Sequence, residues 1–294
     1  MITRFAPSPT GPLHLGHAYS ALLAHDMALE RGGEFLLRIE DIDKSRARPE
    51  WEAQIYDDLK WLGLWWPSPV IRQSDHLDVY RNKLRWLWNH GYAFSCDCSR
   101  RDIQDAMSAP QEGMAPATGP DGLIYPGTCR ANTNQSGTVN MPEDTAIRLL
   151  MDTVARKHGS ELTGGNVLSF HETGQGPNGE TGLIEFSTQE AIDTIGDIVL
   201  ARRDMGTSYH LSVVLDDAAQ GITHVVRGQD LFEATKIHVI LQRVLKLPTP
   251  VYHHHSLIRD NAGKRLAKRD DARAISKFRE EGATPEDIRA MVGF

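Results

Sequence analysis

"RFAPSPTGPLHLGHAYSALLAHDMAL", residues 4–29, holds three prolines, two glycines and two histidines within its positions 7–17. A strand-like "ITRFA" precedes this punctuation, over 2–6. A helical pattern follows over 16–31 and stops at Gly32-Gly33. A turn between strand and helix presents free backbone N–H groups and the positive end of the helix dipole, which favour an anion. It is not a P-loop, because no Gly-Lys-Ser/Thr follows the glycines. His14 and His17, three residues apart, share a helix face and can touch one ligand. A metal site would need further ligands at matching spacing, and none is near. The stretch alone leaves two readings: an anion site, or a turn that the histidines merely cap.

Working outward, "EFLLRIE" (34–40) reads as a buried strand. "PEWEAQIYDDLKWLGL" (49–64) opens with proline at a first-turn position and carries apolar residues at helical spacing. A further helix is expected over 76–90. This β-α-β-α order argues for an α/β fold, with helices on the faces of a sheet. The chain then changes character: residues 96–182 are rich in Gly, Pro, Ser, Thr and Asn, with short apolar runs such as "AIRLL" (146–150). That composition marks an insertion or small subdomain with long loops. Regularity resumes over 195–203, 209–218 and 222–231, followed by a helix over 233–246 and a strand near 251–258. The sheet is therefore expected to be interrupted and then continued.

Bulk properties narrow the class. Of 294 residues, 40% are hydrophobic and 24% charged, the balance of a soluble globular protein with a substantial core. No segment approaches the eighteen apolar residues of a membrane span, and no leader peptide is read at the start. Three cysteines, Cys96, Cys98 and Cys129, do not make a disulfide framework, so a reducing cytoplasm is the expected location. A net charge of -7 and a pI near 6.0 exclude general coating of nucleic acid. A local basic patch stays open: residues 259–279 concentrate eight of the 32 basic residues, or else form a solvated helix face of paired charges.

Four ordered blocks carry a family resemblance. "PSPTGPLHLGH" resembles the HIGH signature of class I aminoacyl-tRNA synthetases, and "RFAPSPTG" narrows it to the glutamyl branch. "LLRIEDIDKSR" (36–46), "YHLSVVLDDAAQGITHVVRGQDL" (209–231) and "GKRLAKRD" (263–270) resemble that branch's other blocks. The resemblance implies a Rossmann-type parallel sheet split by an inserted subdomain. Its expected division is 1–90 and 195–260 for the catalytic domain, 91–194 for the insertion, and 261–294 for a lysine loop and short helical segment. Full-length glutamyl enzymes continue into an anticodon-binding extension, whereas this sequence stops at Phe294. It is therefore similar to the short glutamyl-Q tRNA(Asp) synthetases, which have no anticodon-binding domain. That group is understood to activate L-glutamate with ATP and attach it to queuosine at the wobble position of tRNA(Asp). A monomer and no membrane partner are expected. The alternatives are a catalytically inactive tRNA-binding or regulatory paralogue, and a glutamyl ligase with another acceptor.

The resemblance also implies a site. His14, His17 and Lys268 would be catalytic, approaching the ATP phosphates, with Mg2+ assisting. Pro7, Gly11 and Gly16 would complete the nucleotide site. Ala267 stands where the lysine loop usually has serine, and Lys264 is a second candidate cation. Glutamate brings two carboxylates and an ammonium, so arginine forks and an acid are needed. Arg4, Ala6, Ser8, Glu40, Tyr209 and Arg227 fall on the matching blocks, with Glu40 facing the ammonium and Arg227 a carboxylate. Val213 stands where the full-length enzymes usually have asparagine, which implies a less polar pocket.

The cysteine spacing by itself is even between zinc and three ordinary thiols. The resemblance implies Zn2+ held by Cys96, Cys98, Tyr125 and Cys129, with water or Asp97 as substitutes for the tyrosine. In "YHHHSL" (252–257), His253 and His255 would share a strand face while His254 points away. One histidine is expected to line the nucleotide pocket and the others to be exposed.

Overall fold

Short apolar runs separated by amphipathic ones become parallel strands with helices packed on both faces. The protein is seen in a computed structural model that describes residues 1–108, 117–133, 139–159, 167–258 and 273–294. The chain begins β1 (Ile2–Phe5), α1 (Leu15–Glu30), β2 (Glu34–Ile39), α2 (Pro49–Trp61), β3 (Ile71–Arg72) and α3 (Leu77–Asn89). It continues with β4 (Ala93–Cys96), α4 (Arg100–Ser108), β5 (Thr118–Gly119), β6 (Gly122–Leu123), β7 (Ala146–Leu149) and α5 (Met151–Gly159). Next come β8 (Val167–Glu172), β9 (Gly182–Ser187), α6 (Thr188–Thr194), β10 (Val199–Ala201), α7 (Tyr209–Ala219) and β11 (His224–Gly228). It closes with α8 (Ala234–Val244), β12 (Val251–His255), α9 (Ile275–Glu280) and α10 (Pro285–Val292).

β1 and β2 run parallel with Ile2 opposite Glu34, and β3 extends them in parallel. β11 and β12 are likewise parallel, with Arg227 opposite His254. The Thr223 N–H donates to the Ile2 carbonyl at 3.0 Å, so β1 lies beside β11 and the two groups of strands abut. The order across the molecule is β3-β2-β1, then β11-β12-β8-β9. This is the doubly wound arrangement in which ligands bind beyond the carboxyl ends of the strands.

Each face has its own core. On one, the alanine-rich face of α1 (Ala18, Ala21, Ala24, Ala28) lets the helix sit close to Phe35 and Leu37, with Leu59 and Ile288 around it. On the other, Leu84, Leu211, Ile237 and Leu241 from α3, α7 and α8 pack together. Val213 belongs to this second core, at 1% exposure, and lines neither groove of the site described below. The polarity of the pocket does not turn on it.

The insertion is built differently from its expected bounds. β4, β7 and β10 form an antiparallel sheet, and β5–β6 make a separate hairpin. β8 and β9, within the expected insertion 91–194, instead extend the main sheet through β12. β10, beyond residue 194, returns to the inserted sheet beside β7. The loop-rich composition of 173–182 conceals this: β8 alternates buried Leu168, Phe170 and Glu172 toward the main core.

The described C-terminal residues fold back on the start of α1. Ile275 N–H donates to the Leu13 carbonyl at 2.9 Å, and Arg289 pairs with Asp26 at 2.7 Å. In the described part of the basic stretch the charges are paired: Arg279 with Asp57, Lys277 with Glu280, and Arg273 with Glu281. Among the described residues no helix is long and apolar enough to cross a membrane.

Candidate active site

His14 is the N-cap of α1. Its Nδ1 accepts from the Gly16 N–H at 3.1 Å, and His17 Nδ1 accepts from the His14 N–H at 3.1 Å, a reciprocal capping box. An accepting Nδ1 carries no hydrogen, so both rings keep Nε2 as the donating nitrogen. The rings stack with centroids 3.7 Å apart. A Cβ on residue 16 would lie 3.1 Å from the His14 ring, so Gly16 is the residue that leaves room for this stack. The two readings of the opening stretch thus merge. The histidines cap the helix, and capping fixes them as a pair of donors at its positive end.

These residues line a cleft of about 350 Å³ with Arg4, Ala6, Glu40, Tyr209, Arg227 and His255. Arg4, Glu40, Arg227 and His255 all come from the carboxyl ends of parallel strands or just beyond them, and Tyr209 from the first turn of α7. Pro7 and Ser8 lie in an adjoining groove that shares Ala6, His17, Glu40 and Tyr209. Gly11 is buried and lines neither space. Lys268, Lys264 and Ala267 lie outside the described residues.

Buried charge is concentrated under the cleft. Arg38, with no exposure, donates to Asp217 at 2.8 Å and to Glu40 at 3.2 Å, and its Nε lies 3.7 Å from Asp216. Arg4 reaches both oxygens of Asp217, at 3.0 and 3.4 Å. Burial opposes the charge on Arg38, yet the surrounding carboxylates hold it firmly protonated. Burial likewise works against the Asp217 carboxylate, but Arg4 and Arg38 hold it below the usual range. Burial wins at Glu40 and raises its pKa despite the two arginines. An incoming ammonium would offset that cost.

Arg227 is placed otherwise. Its guanidinium donates to His254 Nε2 (3.1 Å), His238 Nδ1 (3.1 Å), the Leu231 carbonyl (3.2 Å) and Thr235 Oγ1 (2.7 Å). Among the described residues no carboxylate touches it. The side chain is buried and lines the cleft. A buried cation without a directly paired anion is electrostatically suited to an incoming carboxylate.

Cys96, Cys98 and Cys129 bring three thiols within 4.8 Å of one another, all free. The Tyr125 hydroxyl joins them, 3.3 Å from Cys96 Sγ and 3.6 Å from Cys98 Sγ. Asp97 turns away and accepts from Thr145 at 2.7 Å. Three soft donors and one oxygen, drawn together from two loops of the insertion, suit a tetrahedral zinc ion.

Comparison with known proteins bears on this geometry. The catalytic domain of class I tRNA synthetases (E and Q) matches residues 1–293. The chain is 62% identical over 293 residues to a glutamyl-Q tRNA(Asp) synthetase of Rhodobacter capsulatus, with the whole of each chain covered. The chain belongs to the class I tRNA synthetases, in the glutamyl-Q tRNA(Asp) synthetase group. A second synthetase of that group, from Symbiobacterium thermophilum, is 37% identical over 97% of this chain and 83% of its own. A crystal structure of a glutamate tRNA ligase from Elizabethkingia meningosepticum in complex with its amino acid matches with a TM-score of 0.75 at 27% identity. It covers 100% of this chain, which spans 60% of that one.

Several parts of this synthetase site are not apparent from sequence. Arg38, Asp216 and Asp217 form the charged floor, and the signal was charge inside apolar runs, "LLRIE" and "SVVLDD". Of the three histidines, of which one was expected in the pocket and the others exposed, His254 is 1% exposed, because its ring packs between Arg227 and Glu172. His255 does line the cleft, accepting the Ser20 hydroxyl at 2.8 Å.

Proposed function

We propose that the chain activates L-glutamate with ATP and transfers it to queuosine at the wobble position of tRNA(Asp). One observation carries the glutamate reading: a single cleft joins two fixed histidine donors, a buried carboxylate and an arginine that, among the described residues, no carboxylate touches. The queuosine acceptor follows the relatives at up to 62% identity that bear that name.

In the first step a glutamate carboxylate oxygen bonds to the α-phosphorus of ATP, and the bond to the β-phosphate breaks, releasing pyrophosphate. Catalysis of that step is placement and charge stabilisation. His14 and His17 would donate from Nε2 to phosphate oxygens at the start of α1. Glu40 would receive the ammonium and Arg227 a carboxylate. Arg4, already tied to Asp217, would lend orientation more than charge. Lys268 would screen the leaving phosphates. In sequence Lys268 lies between Ile258, which lines the cleft, and Ala274, which bridges to His14. Magnesium would enter on the triphosphate, and we assign it no protein ligand. In the second step the acceptor takes the glutamyl group and AMP leaves.

We also assign zinc to Cys96, Cys98, Cys129 and Tyr125, where it would bind the insertion together away from the chemistry. Three reduced thiols fit the cytoplasm as the place of work. Metal analysis checks the zinc assignment: purified protein should carry about one zinc, lost in Cys129→Ser. Zinc-free protein of unchanged stability would refute it.

ATP–pyrophosphate exchange with a panel of amino acids tests the activation step. Glutamate should support exchange far above the others. Absence of exchange with glutamate, with and without tRNA, would point to a binding paralogue.

A further inference from the structure

The hydrogens around Arg227 have a fixed direction. A guanidinium only donates, so His254 Nε2 and His238 Nδ1 are bare acceptors. Each neutral ring then carries its hydrogen on the opposite nitrogen. His254 donates from Nδ1 to Glu172, a carboxylate 1% exposed that also accepts the backbone N–H groups of His254 and Gly174. Gly174 is required there, since a Cβ would collide with the His254 carbonyl. On the other side His238 donates from Nε2 to His210 Nδ1 at 3.2 Å, and His210 donates from Nε2 to Asp121 Oδ1 at 3.3 Å. Burial, and then the Arg227 cation, pull the His238 pKa well below its ordinary value, in keeping with a neutral ring.

Both branches thus run from the guanidinium through imidazole to a carboxylate. The Glu172 branch ends in the core. The other ends at Asp121, whose side chain is 34% exposed, in the turn of the β5–β6 hairpin. Asp121 and His210 line the groove adjoining the cleft, and Asp121 also lines a space next to the cysteine cluster. An anion placed two imidazoles away orients the arginine without neutralising it at contact distance.

We propose that Asp121, His210 and His238 are positioning residues. They form a relay that sets Arg227 for the substrate carboxylate and ties the inserted hairpin to the amino-acid cleft. The proposal rests on Arg227 being the carboxylate receptor. It acts through Arg227 and through Tyr209, whose ring packs on His210 and His238, so it should appear in glutamate binding and not in ATP binding.

The test is ATP–pyrophosphate exchange with glutamate varied at saturating ATP, and the reverse, for wild type, Asp121→Ala, Asp121→Asn, His210→Ala, the Asp121→Ala/His210→Ala double variant and Arg227→Ala. Asp121→Ala and His210→Ala should each raise the glutamate KM about three- to tenfold, with kcat and the ATP KM near wild type. Asp121→Asn keeps an acceptor oxygen and should recover part of the loss. The double variant should be no worse than His210→Ala alone, since both interrupt one path. Wild-type glutamate KM in Asp121→Ala and His210→Ala, or an equal rise in the ATP KM, overturns the relay. Arg227→Ala separates the two claims. If it leaves the glutamate KM unchanged, the receptor assignment itself fails; if it raises the KM while Asp121 and His210 variants are silent, only the relay fails.

Discussion

Arg4 and Arg227 stand on neighbouring strands and line the same cleft, yet their surroundings differ in kind. Arg4 is held by both oxygens of Asp217, within a cluster that also contains Arg38, Asp216 and Glu40. Among the described residues Arg227 meets imidazoles, a carbonyl, a hydroxyl and the face of Tyr252, and no carboxylate. Direct pairing satisfies buried charge and builds a rigid floor, whereas neutral anchoring holds a cation in place and leaves its field for a ligand. In this reading the first arrangement serves mainly the fold and the second mainly recognition.

Removing charge from each region separates the two. Arg38→Met leaves three carboxylates facing one remaining arginine, so stability should fall by about 3–5 kcal/mol in denaturant unfolding. A near-wild-type midpoint would mean that the floor is not held by its charges. Arg227→Ala should leave the melting temperature nearly unchanged but lower kcat/KM for glutamate in exchange about three hundredfold. Equal losses of stability in both variants would erase the distinction. Lys268→Ala should lower exchange about a hundredfold, if that lysine screens the leaving pyrophosphate as proposed. Near-normal exchange would move that role to Lys264 or Arg265.

The smallest effect concerns a carboxylate of a third kind. Asp58, 1% exposed on α2, has neither an anchoring arginine nor, among the described residues, a hydrogen bond to either oxygen. Burial, with Asp57 beside it, pushes its pKa up to about 6. A raised carboxyl pKa means that stability is greatest below the unfolded value near 3.8, falls as pH rises to about 6, and then levels. Asp58→Asn should therefore stabilise the protein by about 3 kcal/mol at pH 8 and hardly at all at pH 4. Unfolding curves at the two pH values decide it, and an equal shift at both would contradict the burial argument.

The sequence was informative where chemistry is local. Residues 7–17 alone placed two histidines at a helix start, and the cap-and-stack geometry depends on residues within three positions of each other. Family blocks brought Arg4, Glu40, Tyr209 and Arg227 to one cleft, as found. Strand pairing was less legible: β8 and β9 hide behind a glycine-rich turn, and β8 joins β12 only at its end, where Tyr252 pairs with Glu172 and the Thr173 and Gln175 N–H groups donate to the Tyr252 and His254 carbonyls. The imidazole links were illegible because each joins residues far apart in sequence, such as His210 with Asp121 and His254 with Glu172. A histidine reads the same in sequence whether it faces solvent or carries a hydrogen between two buried charges.

Transfer of labelled glutamate to tRNA(Asp), with queuosine present or absent at the wobble position, tests the central claim most directly. Label should enter the queuosine-containing tRNA and not the queuosine-free one. Equal labelling of both, or labelling of neither while exchange proceeds, would contradict it.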